Sequence, residues 1–292
     1  MTLSVLMSVW RGEEAGYLDT AIRSVWTEQT RLPDQLVLVE DGALGDGLLC
    51  IIGRWKAELD DKMIIVKNVR NLGLAKSLNK GIAVCTGDLI ARMDSDDVAD
   101  KRRMERQADF LNIHSDIDIV GGAIIEFSDK EPFVLQRNYP QTTEEVMRYI
   151  SKASPLAHPA VMMRRRIFDS GLRYDEKYLM SQDIALWFDV LAKGYRIANI
   201  PEVVLRYRRT KTMFKRRGRK KAVNELKIYI KGIYRLNGLL TYKYIYPLLR
   251  FVFRLMPCKL IEAIYNNKVR RMLLEPRNFG SFWGNQLEQV VS

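Results

Sequence analysis

From residue 3 to residue 94 the chain switches repeatedly between short apolar runs and segments that carry one apolar stripe. LSVLMSV (3–9), QLVLVEDG (35–42), MIIVKN (63–68) and DLIARMD (88–94) read as strands. GYLDTAIRSVWTEQ (16–29) sets Leu18, Ile22, Val25 and Trp26 at helical spacing, and 47–59 and 72–85 are helical in texture as well. That alternation is the signature of an α/β sheet with helices on its faces. No period of 20 to 50 residues recurs, which excludes a repeat architecture.

In open α/β sheets ligands bind beyond the carboxyl ends of the strands, where loops and helix N-termini converge. Three of these strands end in informative residues: Val9 to Arg11, Glu40-Asp41-Gly42, and Asp94-Ser95-Asp96-Asp97. On this topology they share one edge, so their carboxylates are expected to face a common crevice.

The acids at 94–97 have two readings. Asp96, Asp97 and Asp100 precede KRRMERQADFL, and acids favour the positive end of a helix, so they could serve as caps. Three carboxylates in four positions exceed what a cap uses, however. Hard divalent cations such as Mg²⁺ and Mn²⁺ take oxygen ligands, often one or two carboxylates together with substrate phosphates. Spacing alone leaves both open. GxxxxGK[ST], a GxGxxG opening the first helix, HExxH and GxSxG do not occur, which removes P-loop, dinucleotide, zinc-protease and serine-hydrolase chemistry.

Composition matters for where the charge lies. The 292 residues are 47% hydrophobic with a net charge of +12, sufficient for one large domain with an appendage. From Arg206 to the end there are 21 Lys/Arg against 4 Asp/Glu, and before it 26 against 31. RYRRTKTMFKRRGRKK (206–221) holds ten basic residues and no acid, and the boundary is drawn there: a catalytic unit 1–215 and a basic, amphipathic helical tail 216–292. Cys50, Cys85 and Cys258 form no CxxC pair, which fits a reducing cytoplasmic setting. The N-terminal MTLSVLMSVWRGEE reads as a first strand, not as a secretory signal.

LSVLMSVWRGEEAGYLDTAIRSVWTEQT, LVLVEDG, RNLGLAKSLNKGI and ARMDSDDVADKRRMERQ occur in the order and spacing typical of family 2 glycosyltransferases. The chain resembles the bacterial exopolysaccharide and O-antigen branch of that family, strongly over about residues 1–217. The resemblance implies a GT-A fold, a Rossmann-like nucleotide-diphospho-sugar transferase core with a mixed sheet and helices on both faces, to which the tail's own pattern adds C-terminal amphipathic helices. It implies inverting transfer from a nucleotide sugar to an acceptor hydroxyl. The match assigns Asp41 to the nucleotide base, Asp94 and Ser95 to the nucleotide beside Val9, and Asp96 to a Mn²⁺ or Mg²⁺ ion and the diphosphate, with Asp97 sharing or replacing it. YDEKYLMSQDIALWFDVLAKG (174–194) matches the catalytic region, where an acid pair opens a helix; here the pair is Gln182 and Asp183. Asp183 is the expected general base, and Gln182 departs from the commoner Glu.

Asn71 and Lys76 match positions lining the nucleotide pocket, although Asn-Leu-Gly is also an ordinary helix-initiating turn. His158 matches a position near the acceptor; a lone His is more often structural. Arg208, Arg216 and Arg217 are candidates for gripping a diphosphate, which guanidinium suits.

The tail mixes Lys/Arg with aromatics and aliphatics. In 222–240, Ala222, Leu226, Tyr229, Ile230, Ile233 and Tyr234 fall on one expected helical face. Arg250, Arg254 and Lys259 interrupt 242–274, so no segment there reads as a transmembrane helix. Apolar-basic helices of this kind lie in membrane interfaces. The expected partners are therefore a UDP-hexose, galactose or glucose, a polyprenyl-diphosphate-linked saccharide and an anionic membrane on its cytoplasmic side, with no nucleic acid. Two other classes stay open: a sugar-nucleotide pyrophosphorylase, whose usual Gly-rich basic loop the WRGEE turn does not provide, and a non-catalytic nucleic-acid or membrane adaptor.

Overall fold

The four strands expected before residue 94 all form, as β1 (Leu3–Val9), β2 (Gln35–Asp41), β3 (Met63–Asn68) and β4 (Leu89–Asp94). Between them run α1 (Ala15–Val25), α2 (Asp46–Leu59) and α3 (Leu74–Val84). The computed structural model describes residues 1–129, 132–209 and 219–255, with the side chains of 219–221 and 253–255 left aside. The 215/216 boundary, Arg216 and Arg217 lie outside the described residues, as does the tail beyond 255.

β3-β2-β1-β4 are parallel neighbours, and their register sets Ser8 beside Asp94, Val9 beside Glu40 and Asp41 beside Asn68. The acids that end β2 and β4 thus share one edge, as the alternation requires. Past β4 the sheet becomes mixed. β8 (Met162–Arg164) lies antiparallel between β4 and β6 (Ile119–Phe127), β9 (Ile197–Arg208) runs parallel to β6, and β5 (Val98–Ala99) closes the order antiparallel to β9. β7 (Val134–Arg137) pairs with β6 alone as a hairpin, with all four of its residues exposed.

Each face of the sheet carries its own core. Leu3, Val5, Met7 and Val9 of β1 join Leu36 and Leu38 under α1, α2 and α4 (Arg103–Ile113). Leu6, Val37 and Val39 face the other way, in the core shared with α3, α5 (Thr143–Tyr149), α6 (Arg166–Asp169), α7 (Gln182–Ala192) and α8 (Arg219–Asn237). Covering both faces explains why these strands read as near-continuous apolar runs without alternation. Each fully buried aliphatic side chain contributes about 1.5–3 kcal/mol.

One glycine is needed to bring the site together. Gly42 has φ +92°, and a Cβ there would lie 2.6 Å from the Asn71 amide. The turn after β2 therefore passes close to the loop after β3, which only glycine allows.

The tail helix differs from its expected face. α8 buries Ala222, Glu225, Ile228, Tyr229 and Ile233 while Ile230 and Tyr234 are exposed, a stripe rotated by about one position. It packs on α7, with Gly232 against the Phe188 ring and Phe188 edge-on to Tyr229 at 5.6 Å. Periodicity could not place Glu225 inside, because its ion pair comes from Arg250, 3.1 Å away on α9 (Ile245–Leu255). Among the described residues no helix is long and apolar enough to cross a membrane.

Candidate active site

A cavity of about 620 Å³ opens where the strand ends gather. Ser8, Trp10, Glu13, Asp41, Asn71, Asp94, Ser95, Asp96, Glu126, Arg137, Tyr139, His158, Gln182 and Asp183 are among the residues that line it. A shallower groove of about 950 Å³ between Asn79, Arg173, Asp189 and Arg235 contains none of the residues expected to do chemistry.

The acids behind β4 do not cap α4. Val98 and Ala99 intervene as a strand paired with β9, and Asp100 receives the Arg102 amide at 3.0 Å while Gln29 receives that of Met104 at 3.1 Å. Of the acids in the capping reading, Asp100 serves the helix start, and Asp94, Asp96 and Asp97 are left with oxygens within 4.8 Å of one another. Asp97 is wholly buried; its Oδ1 accepts the Arg208 amide at 2.8 Å, and Oδ2 has no hydrogen-bond partner among the described residues. Burial and the neighbouring Asp94 hold both other acids up, Asp96 to about 7 and Asp97 well above the carboxylate range. Packed oxygens that repel one another, one of them orphaned, fit a hard divalent cation.

Arginines stand behind these acids. Arg92, 1% exposed, ion-pairs with Asp94, and buried Arg103 donates to the Arg92 carbonyl at 2.8 Å. Burial beside Arg92 pushes the Arg103 guanidinium down to about 9. Arg208 donates through Nε to the Asp96 carbonyl at 2.7 Å, pairs with Asp129 and stacks over Tyr17 at 4.0 Å. It lines the cavity as expected, but these contacts commit it to holding the Asp96–Asp97 turn.

Asp41 uses its carboxylate to hold the loop after β3. It accepts the Leu72 amide at 2.7 Å, the Gly73 amide at 3.0 Å and Asn68 Nδ2 at 3.0 Å, and its carbonyl accepts Asn71 Nδ2 at 3.3 Å. Val9 does not present its side chain to the cavity: it is sealed in the core between Ser8 and Trp10, which do line it. Lys76, one turn into α3, is half-buried and not part of the lining.

Asp183 sits in the first turn of α7. The residue before the helix, Ser181, is held at φ 63° and ψ 24°, a left-handed conformation that costs energy for a non-glycine residue and clusters at functional sites. Burial raises the Asp183 carboxyl above its ordinary range, opposed by the Ile184 amide and by Arg92. Gln182 is 7% exposed and its Oε1 has no partner among the described residues. His158 is kept neutral by burial and by Arg92; its Nε2 meets the Tyr174 hydroxyl at 2.8 Å and its ring packs edge-on to Trp187 at 5.9 Å. Those contacts give it a structural place in the wall.

Sequence reading passed over Trp10, Glu13, Arg92, Glu126, Arg137 and Tyr139. For Arg92 a signal existed: a charge inside the apolar run DLIARMD has to find a buried partner. For Glu126, Arg137 and Tyr139 there was none, because a hairpin far along the chain brings them in.

A sheet that turns from parallel to mixed beside an acidic strand-end turn, with a further carboxylate opening a helix in the same cavity, defines a GT-A glycosyltransferase. The comparisons with known proteins agree. Residues 4–172 match the family profile "Glycosyl transferase family 2", and the chain belongs to that family. It is 31% identical to the amylovoran biosynthesis glycosyltransferase AmsE of Erwinia amylovora, over 90% of this chain and 97% of that protein. It is 30% identical to the Escherichia coli UDP-Gal:alpha-D-GlcNAc-diphosphoundecaprenol beta-1,3-galactosyltransferase, over 92% and 97%. In fold it is similar to S. aureus TarS in complex with UDP-GlcNAc, with TM-score 0.61 and 19% identity over 90% of this chain and 84% of that one. Mannosyltransferase PcManGT from Pyrobaculum calidifontis, in complex with GDP-Man and Mn²⁺, gives TM-score 0.63 and 15% identity over 92% and 82%. Family membership sets aside the pyrophosphorylase and adaptor readings.

Proposed function

We propose that the protein transfers a hexose, galactose or glucose, from a UDP-sugar to a sugar on a polyprenyl-diphosphate carrier during exopolysaccharide or O-antigen assembly. The observation that carries this reading is that Asp183 lines the same cavity as Asp94 and Asp96 of the clustered acidic turn. The relatives named above supply the donor and acceptor class.

In this reading Asp94, Asp96 and Asp97 hold a divalent cation. When bound, that ion neutralises the charge developing on the leaving diphosphate. Ser95 and Asp41 border the nucleotide, with Asp41 keeping the Leu72–Gly73 turn in place, and Asn71 lies beside them. Asp183 accepts the acceptor's hydroxyl proton as that oxygen attacks the anomeric carbon; the bond to the diphosphate oxygen breaks and UDP leaves with the electron pair. A fixed carboxylate aligned with the attacked face supplies orientation as well as basicity. Arg92 favours the ionised form that Asp183 needs. The second acid of the usual pair is absent, so one carboxylate suffices for the proton.

The tail serves as a membrane contact in the same reading. Leu239, Leu240, Tyr242, Ile245, Leu248, Leu249 and Val252 are exposed on α9 and the turn before it, within the strongly basic last third of the chain. Basic residues near an anionic leaflet contribute about 1 kcal/mol each, enough in sum to keep the enzyme at the inner face of the membrane where its acceptor lies. A panel of UDP-sugars with a lipid-diphosphate GlcNAc or GalNAc acceptor, read by product mass and linkage, tests donor, acceptor and reaction together. Absence of any transfer under these conditions, with metal supplied, would count against the reading.

A further inference from the structure

Inversion constrains where the acceptor can lie. The attacking hydroxyl approaches the face opposite the leaving diphosphate, so the acceptor sugar occupies the part of the cavity beyond Asp183, away from the acidic turn. Glu126 and Arg137 line the same cavity as Asp183 and pair with each other. They come from the β6–β7 hairpin, whose β7 pairs with β6 alone among the described residues.

We propose that Glu126, Arg137 and Tyr139 form the acceptor-sugar subsite, with the Glu126–Arg137 pair reading hydroxyls adjacent to the one that Asp183 deprotonates. The inference rests on the transferase reading above. Arg137 Nη1 meets Glu126 Oε1 at 2.6 Å. The two are unequally buried: Glu126 is 6% exposed, whereas the Arg137 side chain is 45% exposed. The carboxylate is thus fixed in the wall, and the half-exposed guanidinium, a planar fork of five N–H donors of which Glu126 takes one, keeps the others for a ligand. A fork and a carboxylate side by side match neighbouring hydroxyls of a pyranose, one accepting and one donating.

Two further residues of the lining belong with this pair. The Tyr139 phenol, held up to about 12 by burial, lines the cavity within the field of Arg137, Glu126 and Asp183 alike. Gln182 adds an acceptor, since its Oε1 is buried in the same wall without a partner among the described residues. His158, the residue that the family pattern places near the acceptor, is spent on Tyr174. Sugar recognition in the cavity therefore passes to the hairpin.

The test uses the full chain with the sugar-diphosphate-lipid acceptor that it turns over, that acceptor's monodeoxy analogues, and UDP. Arg137→Met should raise the acceptor KM about tenfold and leave the UDP Kd within twofold. It should also shrink the discrimination between the acceptor and one particular monodeoxy analogue, since a site built to bond a hydroxyl rejects the compound lacking it. Glu126→Gln should give the same split, with thermal unfolding recorded to separate it from a hairpin that has come loose. An unchanged acceptor KM in Arg137→Met, or one that rises equally for every deoxy analogue, overturns the subsite while leaving the transferase intact. Failure of the unaltered chain to bind UDP overturns the transferase reading and the subsite with it.

Discussion

Arg92 and Asp94 sit two positions apart on β4, so their side chains leave the same face, and they form an ion pair with the guanidinium buried behind the carboxylate. Arg92 Nε and Nη1 have no hydrogen-bond partner among the described residues. A buried cation with donors to spare acts on every charge around it. Besides Asp94 it acts on Asp97, His158, Tyr174 and Asp183.

The sign of its effect on Asp183 gives a pH prediction. Burial raises the Asp183 carboxyl, Arg92 lowers it and Glu225 raises it again. A base must be ionised, so activity falls as pH drops through that raised value. Arg92→Met removes an opposing cation, and the acid limb of kcat/KM should move to higher pH by about one unit, while Arg92→Lys moves it less. An acid limb that stays in place in both variants contradicts the role.

Asp183→Asn keeps the shape and removes the base. Transfer should fall by about 10²–10⁴-fold, with UDP affinity nearly intact when measured by calorimetry. Full activity in this variant would remove Asp183 from the proton step.

Chelation tests the acidic turn. Excess EDTA should stop turnover and added Mn²⁺ or Mg²⁺ should restore it. Asp96→Asn should lower turnover at saturating metal by about 100-fold or more, given the several kcal/mol that such an ion supplies. Undiminished rates in EDTA would refute the metal assignment.

Gly232→Ala addresses the α7–α8 contact, because the added Cβ would lie 2.1 Å from Phe188 Cγ. Overpacking of this kind costs about 1–3 kcal/mol, read as a lower midpoint in urea. Since α7 carries Asp183, turnover should fall along with stability; an unchanged midpoint would mean that the helices part without cost.

Replacing Leu248, Leu249 and Val252 by Ser should weaken cosedimentation with vesicles containing anionic lipid while leaving UDP binding unchanged. Equal binding by the variant and the unaltered chain would remove α9 as the contact.

Particular residues show how far the sequence reaches. The parallel half of the sheet and its acidic strand ends were legible because local pattern decides them: an apolar run flanked by helix-period segments has few ways to be buried, and register follows from two covered faces. Asp41, Asp94, Asp96 and Gln182–Asp183 were found in this way or through the family pattern, and they do line one cavity. The capping alternative could not be settled by spacing, because the two-residue strand at Val98 is defined only by its pairing with Arg206, over a hundred positions away.

Arg208 shows the opposite limit. Its charge suggested a diphosphate, but the fold brings the Asp96 carbonyl, Asp129 and Tyr17 to it first. On α8, a helical period allows two neighbouring stripes, and the choice between them was made by Arg250 offering Glu225 a partner.

The sequence alone therefore determined the α/β class, the edge where chemistry gathers and the acids that face it, since these depend on periodicity and on charge next to apolar strands. Only the tertiary structure decided which cations stand behind those acids and which hairpin joins them in lining the cavity. Those contacts join residues distant along the chain, and burial selects among partners that local pattern cannot distinguish.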